Sequence, residues 1–317
     1  MDRALLVIGS VAYDTVETPS GSVDDALGGS ALYASAAASL FVPVHLVGVV
    51  GTDFRIDDLD FMRQRRVDLG GLEVADGRTF RWSGVYEANL NVRHTRSTHL
   101  NVFADFSPRL PDGYRSDSVI FLGNIAPTLQ AHVLDQLREP RWVALDTMDL
   151  WINTARGELE KVMTRVQMII VNDAEARLLS GESNLVLAAR RLMAMGPAAV
   201  VIKKGEHGVF LVTNDGYAAL PALPILSVID PTGAGDSFAG GMLGAIAASR
   251  DWSFAGLRRA MAYGTATASL AVESFSLDGL RTATRLMLEE RYRWLRDIAD
   301  IPEPVRADGG VHAGPNA

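Results

Sequence analysis

The sequence predicts an α/β protein whose central, mostly parallel sheet carries helices on both faces. Short runs that are almost wholly apolar alternate along the 317-residue chain with longer runs of helical character. Strands with continuous rather than alternating hydrophobicity are typical of parallel sheets that are buried on both sides. A chain of this length can also bury the large core that such a sheet requires.

Each element of this fold follows from a local run of residues. The predicted strands cover residues 5–8, 44–50, 118–122, 142–146, 168–171 and 199–202. The predicted helices between them cover residues 30–41, 58–66, 129–137, 174–180 and 186–195. Ligands bind such sheets at the carboxyl ends of the strands. Asn124, Asp146, Asn172 and the loop 230–236 are each predicted to follow a strand at that edge.

Residues 72–106 break this pattern. Apolar residues alternate there with polar and aromatic ones, and no helical run intervenes, which predicts an antiparallel hairpin outside the main sheet. A second segment, residues 13–24, could add strands to it. Such a small sheet would cover a substrate as a lid or form a homodimer interface. We therefore predict one domain over residues 1–300, lid segments included, and a flexible tail over residues 301–317.

Composition narrows the class of protein. The net charge is −8 and no basic stripe offsets it, which argues against a nucleic-acid partner. Charges interrupt every apolar run before about 18 residues, so we expect no membrane span. The first residues lack the long apolar core and cleavage site of a signal peptide. The chain has no cysteine, which excludes disulfides, thiolate metal sites and a cysteine nucleophile. Together these features predict a cytoplasmic protein.

The segment 230–241, Asp-Pro-Thr-Gly-Ala-Gly-Asp-Ser-Phe-Ala-Gly-Gly, carries the strongest functional signal. Gly233 and Gly235 free the backbone to turn N–H groups toward an anion, and the apolar helical run that follows adds the positive end of its dipole. Asp236 would repel a phosphate, but it fits if it takes a proton from the hydroxyl that attacks the phosphate. The alternative is a glycine-rich turn with Asp236 as a helix cap.

Three other places are candidates for ligand contacts. Gly28 and Gly29 would let backbone approach a polyhydroxylated ligand, and Asp14 either accepts hydrogen bonds from two hydroxyls or lies in water. Asn172 and Glu175 have the spacing of a capping box, which is compatible with a ligand role as well. Lys203 and Lys204 follow a buried strand, so one of them could be a solvated strand end.

Four motifs, in this order, resemble those of the ribokinase-like (PfkB-type) carbohydrate kinases. They are 28–34 (Gly-Gly-Ser-Ala-Leu-Tyr-Ala), 172–175 (Asn-Asp-Ala-Glu), 203–208 (Lys-Lys-Gly-Glu-His-Gly) and the segment 230–241. The resemblance covers about residues 4–295. It implies a three-layer αβα sandwich with a small β-sheet lid, and ATP-dependent transfer of the γ-phosphoryl group to an alcohol hydroxyl of a sugar or sugar-like polyol. It also implies ATP and Mg²⁺ and, as in some members, a monovalent cation such as K⁺.

The resemblance implies four groups of site residues. The catalytic group is Asp236, as the base, with an anion hole formed by Gly233, Ala234 and Gly235. The ATP group is Asn172 and Glu175, which organise phosphate, water and Mg²⁺, with Lys203, Gly205, Gly208 and a loop around Thr265 that closes over the base. The acceptor group is Asp14, Gly28, Gly29 and Asn124. The monovalent-cation group is Asp230 and Thr232, with carbonyls near Ala271 and Ser274.

The chain also departs from the family pattern. Tyr33 stands where many members have an Asn that contacts the sugar, so its ring either contacts a different acceptor or packs in the core. Arg55 replaces a usual Gly, and Pro231 replaces a common Thr. With Tyr33, four residues of the predicted lid suggest a polar and aromatic acceptor pocket: Trp82, Tyr86, Asn89 and Arg93.

The sequence leaves three functions open. The first is a sugar or polyol kinase, the second a nucleoside kinase of the same fold, and the third a catalytically silent ligand-binding relative. Asp236 and its glycine-rich surroundings count against the third. Neither a G-x-G-x-x-G turn after the first strand nor a G-x-x-x-x-G-K-[ST] loop is present. A dinucleotide-dependent dehydrogenase is therefore disfavoured, and a phosphate site is expected only at 230–241.

Overall fold

The computed structural model describes residues 4–301, which form two sheets flanked by helices. The strands are β1 (Leu5–Ile8), β2 (Ala12–Thr18), β3 (Gly21–Gly28), β4 (Val44–Gly51), β5 (Val67–Ala75), β6 (Phe80–Tyr86), β7 (Arg93–His99), β8 (Val119–Leu122), β9 (Trp142–Asp146), β10 (Met168–Asn172), β11 (Ala199–Lys203), β12 (Val209–Thr213) and β13 (Gly216–Leu220). The helices are α1 (Ser30–Ala38), α2 (Asp60–Gln64), α3 (Pro127–Leu134), α4 (Asp149–Thr154), α5 (Arg156–Met163), α6 (Asp173–Ser180), α7 (Leu185–Ala194), α8 (Ala234–Ser249), α9 (Phe254–Ala271), α10 (Asp278–Thr282) and α11 (Arg285–Ala299).

The main sheet has nine strands in the order β13-β12-β11-β10-β9-β8-β1-β4-β5. Its strands pair in parallel from β11 to β5, and β12 and β13 add an antiparallel hairpin at one edge. Alternate residues of β1 face opposite layers. Leu5 and Val7 join the core under α1, α8 and α9, whereas Leu6 and Ile8 join the core under α3, α5, α6 and α7. The predicted three-layer αβα sandwich is confirmed.

The predicted strands and helices of the main sheet occur in the structure. The strand ends differ from the prediction by at most one residue, and the helix ends by at most three. The β12–β13 hairpin was not predicted. The described helices include none that is both long and apolar enough to cross a membrane.

A small separate sheet has the strand order β3-β2-β6-β7, and we call it the lid sheet. The predicted antiparallel hairpin is β6–β7, and the segment near residues 13–24 supplies β2 and β3. The prediction was wrong at 72–75, because these residues end β5, which pairs in parallel with β4 at the edge of the main sheet. An edge strand is half exposed, and its alternating burial resembles that of a lid strand. Residues 101–105 form a 3₁₀ helix.

The residues before the glycine-rich segment are irregular, so the loop 230–236 does not follow a strand as predicted. Prolines at 221, 224 and 231 remove backbone donors that a strand would need. The amides of Ile229 and Asp230 instead donate to the Val272 carbonyl at the end of α9. Of the predicted C-terminal tail, residues 302–317 lie outside the described residues.

Candidate active site

The glycine-rich loop ends at the N-terminus of α8. Gly233 has φ 72°, the left-handed region, and a Cβ atom there would overlap the ring of Tyr33. The Ala234 amide donates to the Pro231 carbonyl at 3.2 Å. Among the described residues, the amides of Gly235 and Asp236 find no backbone acceptor. Two N–H groups at the positive end of a 16-residue helix are thus available to an anion.

Asp236 lies in the first turn of α8 and is partly buried. Burial raises the pKa of its carboxyl group to about 7, and the negative charge of Asp146 adds to the increase. The positive charges of Lys203 and Arg93 act in the opposite direction. A carboxylate of this kind is half ionised near neutral pH and can accept a proton there.

Lys203, the last residue of β11, points toward the glycine-rich loop. Its Nζ lies 3.5 Å from Asp146 Oδ2 and 2.8 Å from the position that a Cβ atom on Gly235 would take. Burial alone would lower the pKa of Lys203, but the carboxylates of Asp146, Glu175 and Asp236 raise it above its usual value. Lys203 is therefore a charged group of the site and not a solvated strand end.

Asn172 and Glu175 form the predicted capping box at the start of α6. The Glu175 amide donates to Asn172 Oδ1 and the Asn172 amide donates to Glu175 Oε2, both at 2.8 Å. Asn172 is also the register partner of Lys203 across β10 and β11, which brings Glu175 toward the same charges. Burial raises the pKa of Glu175 to about 7, although Lys203 lowers it. Glu175 can therefore cap the helix and face a ligand together.

On the other side of Asp236, the lid sheet contributes Asp14 from β2. Its side chain is 6% exposed and lies over Gly28, where any Cβ atom would overlap the carboxylate. Burial, followed by the charges of Asp230 and Asp236, raises the pKa of Asp14 to about 7. Arg93 and a hydrogen bond with the Gly29 amide lower it. Asp14 is therefore a buried carboxyl group beside the diglycine, and the alternative of a loop carboxylate in water does not hold.

Tyr33 is 2% exposed and packs within the core as part of α1. Its ring lies against Gly233 and so supports the turn that leads into α8. Burial raises the pKa of its hydroxyl well above the usual range, with further effects from the charges of Asp14, Asp230 and Asp236. The ring of Tyr33 therefore packs in the core, as one of the two alternatives predicted. A contact between its hydroxyl and the acceptor stays a prediction.

Two predicted site residues are engaged elsewhere. Asn124 accepts a hydrogen bond from Trp151 Nε1 at 2.9 Å, and its Nδ2 lies 3.1 Å from Met148 Sδ. Thr265 lies inside α9, where its hydroxyl donates to the Met261 carbonyl. The predicted loop around Thr265 is therefore wrong, because an unbroken helix runs from 254 to 271. The assignment of Asn124 to the acceptor and that of Thr265 to the nucleotide rest on the family resemblance alone.

Asp230 is 1% exposed and stabilises the glycine-rich loop through two hydrogen bonds. Its Oδ1 accepts from the Thr232 amide at 2.8 Å and its Oδ2 from the Ser276 amide at 3.4 Å. Within residues 4–301, no three acidic, histidine or cysteine side chains are grouped to hold a metal ion. Mg²⁺ commonly binds through one or two carboxylates, water and substrate phosphates, so a single carboxylate such as Glu175 fits it.

The strands and the turn of the lid contact two loops at the end of the main sheet. Thr232 Oγ1 donates to the Tyr86 hydroxyl at 3.1 Å, which joins the lid to the glycine-rich loop. Asn91 Nδ2 donates to Glu206 Oε1 at 3.0 Å, in the turn between Gly205 and Gly208 where the nucleotide is predicted. Asn89 shapes the lid turn itself, since its Oδ1 accepts from the amides of residues 91 and 92.

Sequence reasoning missed the part of Asp146 in the charge cluster. It placed Arg93 in the acceptor pocket but missed the effect of its charge on Asp14 and Asp236. The predicted position of Asp146 at the carboxyl end of a strand is the only indication in the sequence that it belongs to the site. At Arg55, the other departure from the family pattern, the backbone amide donates to the Tyr13 hydroxyl at 3.0 Å.

Replacing Asp14 by Asn should stabilise the ligand-free protein at alkaline pH. The folded-state pKa of about 7 exceeds the usual 3.8, so the cost of burying the charge is absent below pH 3.8 and is fully present above pH 7. We expect Asp14→Asn to raise the free energy of unfolding by up to about 4 kcal/mol at pH 8, and by little at pH 4. Urea unfolding at both pH values measures this, with the exposed Asp24→Asn as control. Equal effects of Asp14→Asn at the two pH values would contradict it.

Known proteins resemble this chain both in sequence and in fold. The family model described as pfkB family carbohydrate kinase matches residues 2–282. A cytidine kinase of Thermococcus kodakarensis is 32% identical over 245 residues, which are 75% of this chain and 87% of that protein. Among solved structures, a Burkholderia thailandensis nucleoside kinase in complex with inosine is similar with a TM-score of 0.71 and 23% identity, covering 92% of this chain and 98% of that chain.

A putative ribokinase II of E. coli is similar with a TM-score of 0.77 and 18% identity, covering 92% of this chain and 99% of that chain. At these identities the two solved structures support the fold alone. The match to the family model, over most of the chain, identifies the family. The protein belongs to the pfkB family of carbohydrate kinases, and it is a phosphotransferase with an alcohol group as acceptor.

Proposed function

We propose that this protein transfers the γ-phosphoryl group of ATP to a hydroxyl group of a polyhydroxylated small molecule, with Asp236 as the base. One observation carries the proposal. Asp236, with a pKa of about 7, lies in the first turn of α8 beside two amides that are free to bind an anion. Such a carboxylate takes the proton of the acceptor hydroxyl while the amides stabilise charge on the transferring group.

The acceptor and the nucleotide approach Asp236 from opposite sides. Asp14, Gly28 and Gly29 bind acceptor hydroxyls on the lid side, where the Asp14 carboxylate lies over the backbone of Gly28. Lys203 and the turn 205–208 bind the ATP phosphates on the side of β11. This arrangement aligns the attacking oxygen with the phosphorus, and alignment with charge stabilisation is most of what phosphoryl transfer needs.

Glu175 would hold Mg²⁺ through water, and Asn172 would help to organise the same water and phosphate groups. When bound, Mg²⁺ neutralises charge on the phosphates. Glu175 suits this role because it lies among the charges of Lys203 and Asp146 at the nucleotide side. Asp230 and Thr232 would hold a monovalent cation such as K⁺ below the loop. Asp230 is buried there, but the cation itself rests on the family resemblance.

A second candidate function, a nucleoside kinase, has a specific observation in its favour. The relative named cytidine kinase matches over 75% of this chain at 32% identity. The lid also places the half-buried indole of Trp82 opposite Asp14 in the β2–β6 pairing, and paired residues project from the same face of a sheet. An aromatic side chain beside the acceptor carboxylate suits a planar base attached to a ribose.

An ADP-release assay with ATP and Mg²⁺ over pentoses, hexoses, inositols and nucleosides tests the function and separates the candidates. Turnover of one class by orders of magnitude over the others assigns the acceptor. Absence of turnover with every class would favour the silent ligand-binding relative and contradict the proposal.

Replacing Asp236 by Asn should lower kcat by at least about 10²-fold and leave ATP binding nearly unchanged, because only the proton acceptor is lost. Steady-state kinetics and ATP titration measure the two effects. Asp278→Asn, which removes an exposed first-turn carboxylate from another helix, α10, is the control. A mutant with near-wild-type kcat would remove Asp236 from the role of base.

Replacing Glu175 by Gln should shift the Mg²⁺ dependence of the rate to higher concentration and reduce turnover. The amide oxygen of Gln still accepts from Asn172, so the helix cap is kept while the charge is lost. Asp173→Asn is a matched control in the same turn, since Asp173 pairs with Arg177 instead. An unchanged Mg²⁺ titration would leave Glu175 as a helix cap only.

Binding of the acceptor should slow amide hydrogen exchange in β6 and β7 more than ATP alone does, because the lid sheet then closes on a filled site and excludes water. Mass spectrometry of the ligand-free, ATP-bound and acceptor-bound protein measures this. If protection is the same without acceptor and increases with protein concentration, the sheet is a homodimer interface and not a lid.

A further inference from the structure

Arg93, the first residue of β7, is held in place by its neighbours on β6. Its guanidinium carbon lies 5.2 Å from the ring centre of Trp82, and Arg93 is the register partner of Tyr86 across β6 and β7. The indole of Trp82 contacts Gly84, where a Cβ atom would overlap it, and its Nε1 donates to Thr95 Oγ1 at 3.3 Å. The guanidinium therefore rests on a fixed aromatic support.

The segment that carries Arg93 is attached to the rest of the site at two points. Tyr86 accepts from Thr232 at the glycine-rich loop, and Asn91 donates to Glu206 in the turn after β11. Arg93 follows the second attachment by two residues. The lid turn is thus attached to the glycine-rich loop and to the turn 205–208, and Arg93 lies at the base of this turn, opposite Tyr86.

The charge of Arg93 acts on the centre of the site. Arg93 is the register partner of Tyr86, whose hydroxyl meets Thr232 of the glycine-rich loop, and its guanidinium lies over Trp82, the register partner of Asp14. In agreement with this placement, its positive charge lowers the pKa of Asp14 and that of Asp236. The other cation there, Lys203, is 3.5 Å from Asp146 and its charge is largely offset. Among residues 4–301, no carboxylate lies within ion-pair distance of Arg93. Its positive charge is available to a bound anion.

We propose that Arg93 is a further catalytic residue, which binds the transferring phosphoryl group from the lid side. The proposal rests on the proposed function. The acceptor hydroxyl passes its proton to Asp236, its oxygen bonds to the γ-phosphorus, and the bond from that phosphorus to the bridging oxygen breaks, so ADP leaves with the electron pair. Arg93 donates N–H groups to the non-bridging oxygens and loses no proton. A guanidinium matches phosphoryl oxygens in geometry and charge, whereas a sugar or nucleoside acceptor is neutral.

Kinetics of Arg93→Gln, Arg93→Lys and Arg93→Ala, with the acceptor found in the ADP-release assay, test this. We expect Arg93→Gln to lower kcat by about 10²–10³-fold with little change in KM for ATP or acceptor. Arg93→Lys should retain part of the rate, because it keeps the charge without the paired donors. Added guanidinium ion should restore part of the kcat of Arg93→Ala, an effect that a structural role would not give.

The matched control is Arg96→Gln on the same strand. The guanidinium of Arg96 forms an ion pair with Glu17 at 2.6 Å, and Glu17 is not a residue of the predicted site. Arg96→Gln should keep wild-type kinetics, and equal melting temperatures of the two Gln variants would show that folding is intact. An unchanged kcat in Arg93→Gln, or a rise in acceptor KM alone, would overturn the role of Arg93 while Asp236→Asn still tests the base. A wild-type protein without turnover would overturn the proposed function and this role together.

Discussion

Charge balance at the N-terminus of α8 is the constraint on which the rest of the site depends. The carboxyl groups of Asp14, Asp146, Glu175 and Asp236 lie close enough to influence one another, and burial disfavours the charge of each. Lys203 offsets this on the side of β11, and Arg93 does so from the lid. The balance leaves three of the acids with pKa values near 7, where a small change of environment moves a proton.

The main sheet decides which of these charges meet. Asp146, Asn172 and Lys203 end β9, β10 and β11, which are neighbours and parallel, so their side chains meet at one edge. Helix α8 reaches the same edge because it packs closely on α1. At Gly240 the two helices are so close that a Cβ atom would overlap the backbone of Ala34. The position of Asp236 therefore depends on the fold of both layers and not on its own loop alone.

Much of this could be predicted where a local run of residues determines the structure. The buried parallel strands, the capping box of Asn172 and Glu175 and the turn at Gly233 follow from pattern and spacing. The failures had tertiary causes. The edge strand β5 alternates like a lid strand, and the end of α9 supplies the acceptor for the amides at 229 and 230, so no strand is needed there. The charge of Arg93 on β7 acts on Asp14 of β2 and on Asp236 of α8, which are far from it in sequence, and no local pattern reveals this.

Three glycines of the site each make space for the side chain of another site residue. Asp14 lies over Gly28, Tyr33 over Gly233 and Trp82 over Gly84, and in each pair a Cβ atom would overlap the side chain. Only Gly233 of the three has a positive φ, so Gly28 and Gly84 are required for space alone. Because each side chain contacts the backbone of a glycine, its position is limited on that side by packing. Packing against a glycine therefore helps to position three side chains of the site: Asp14, Tyr33 and Trp82.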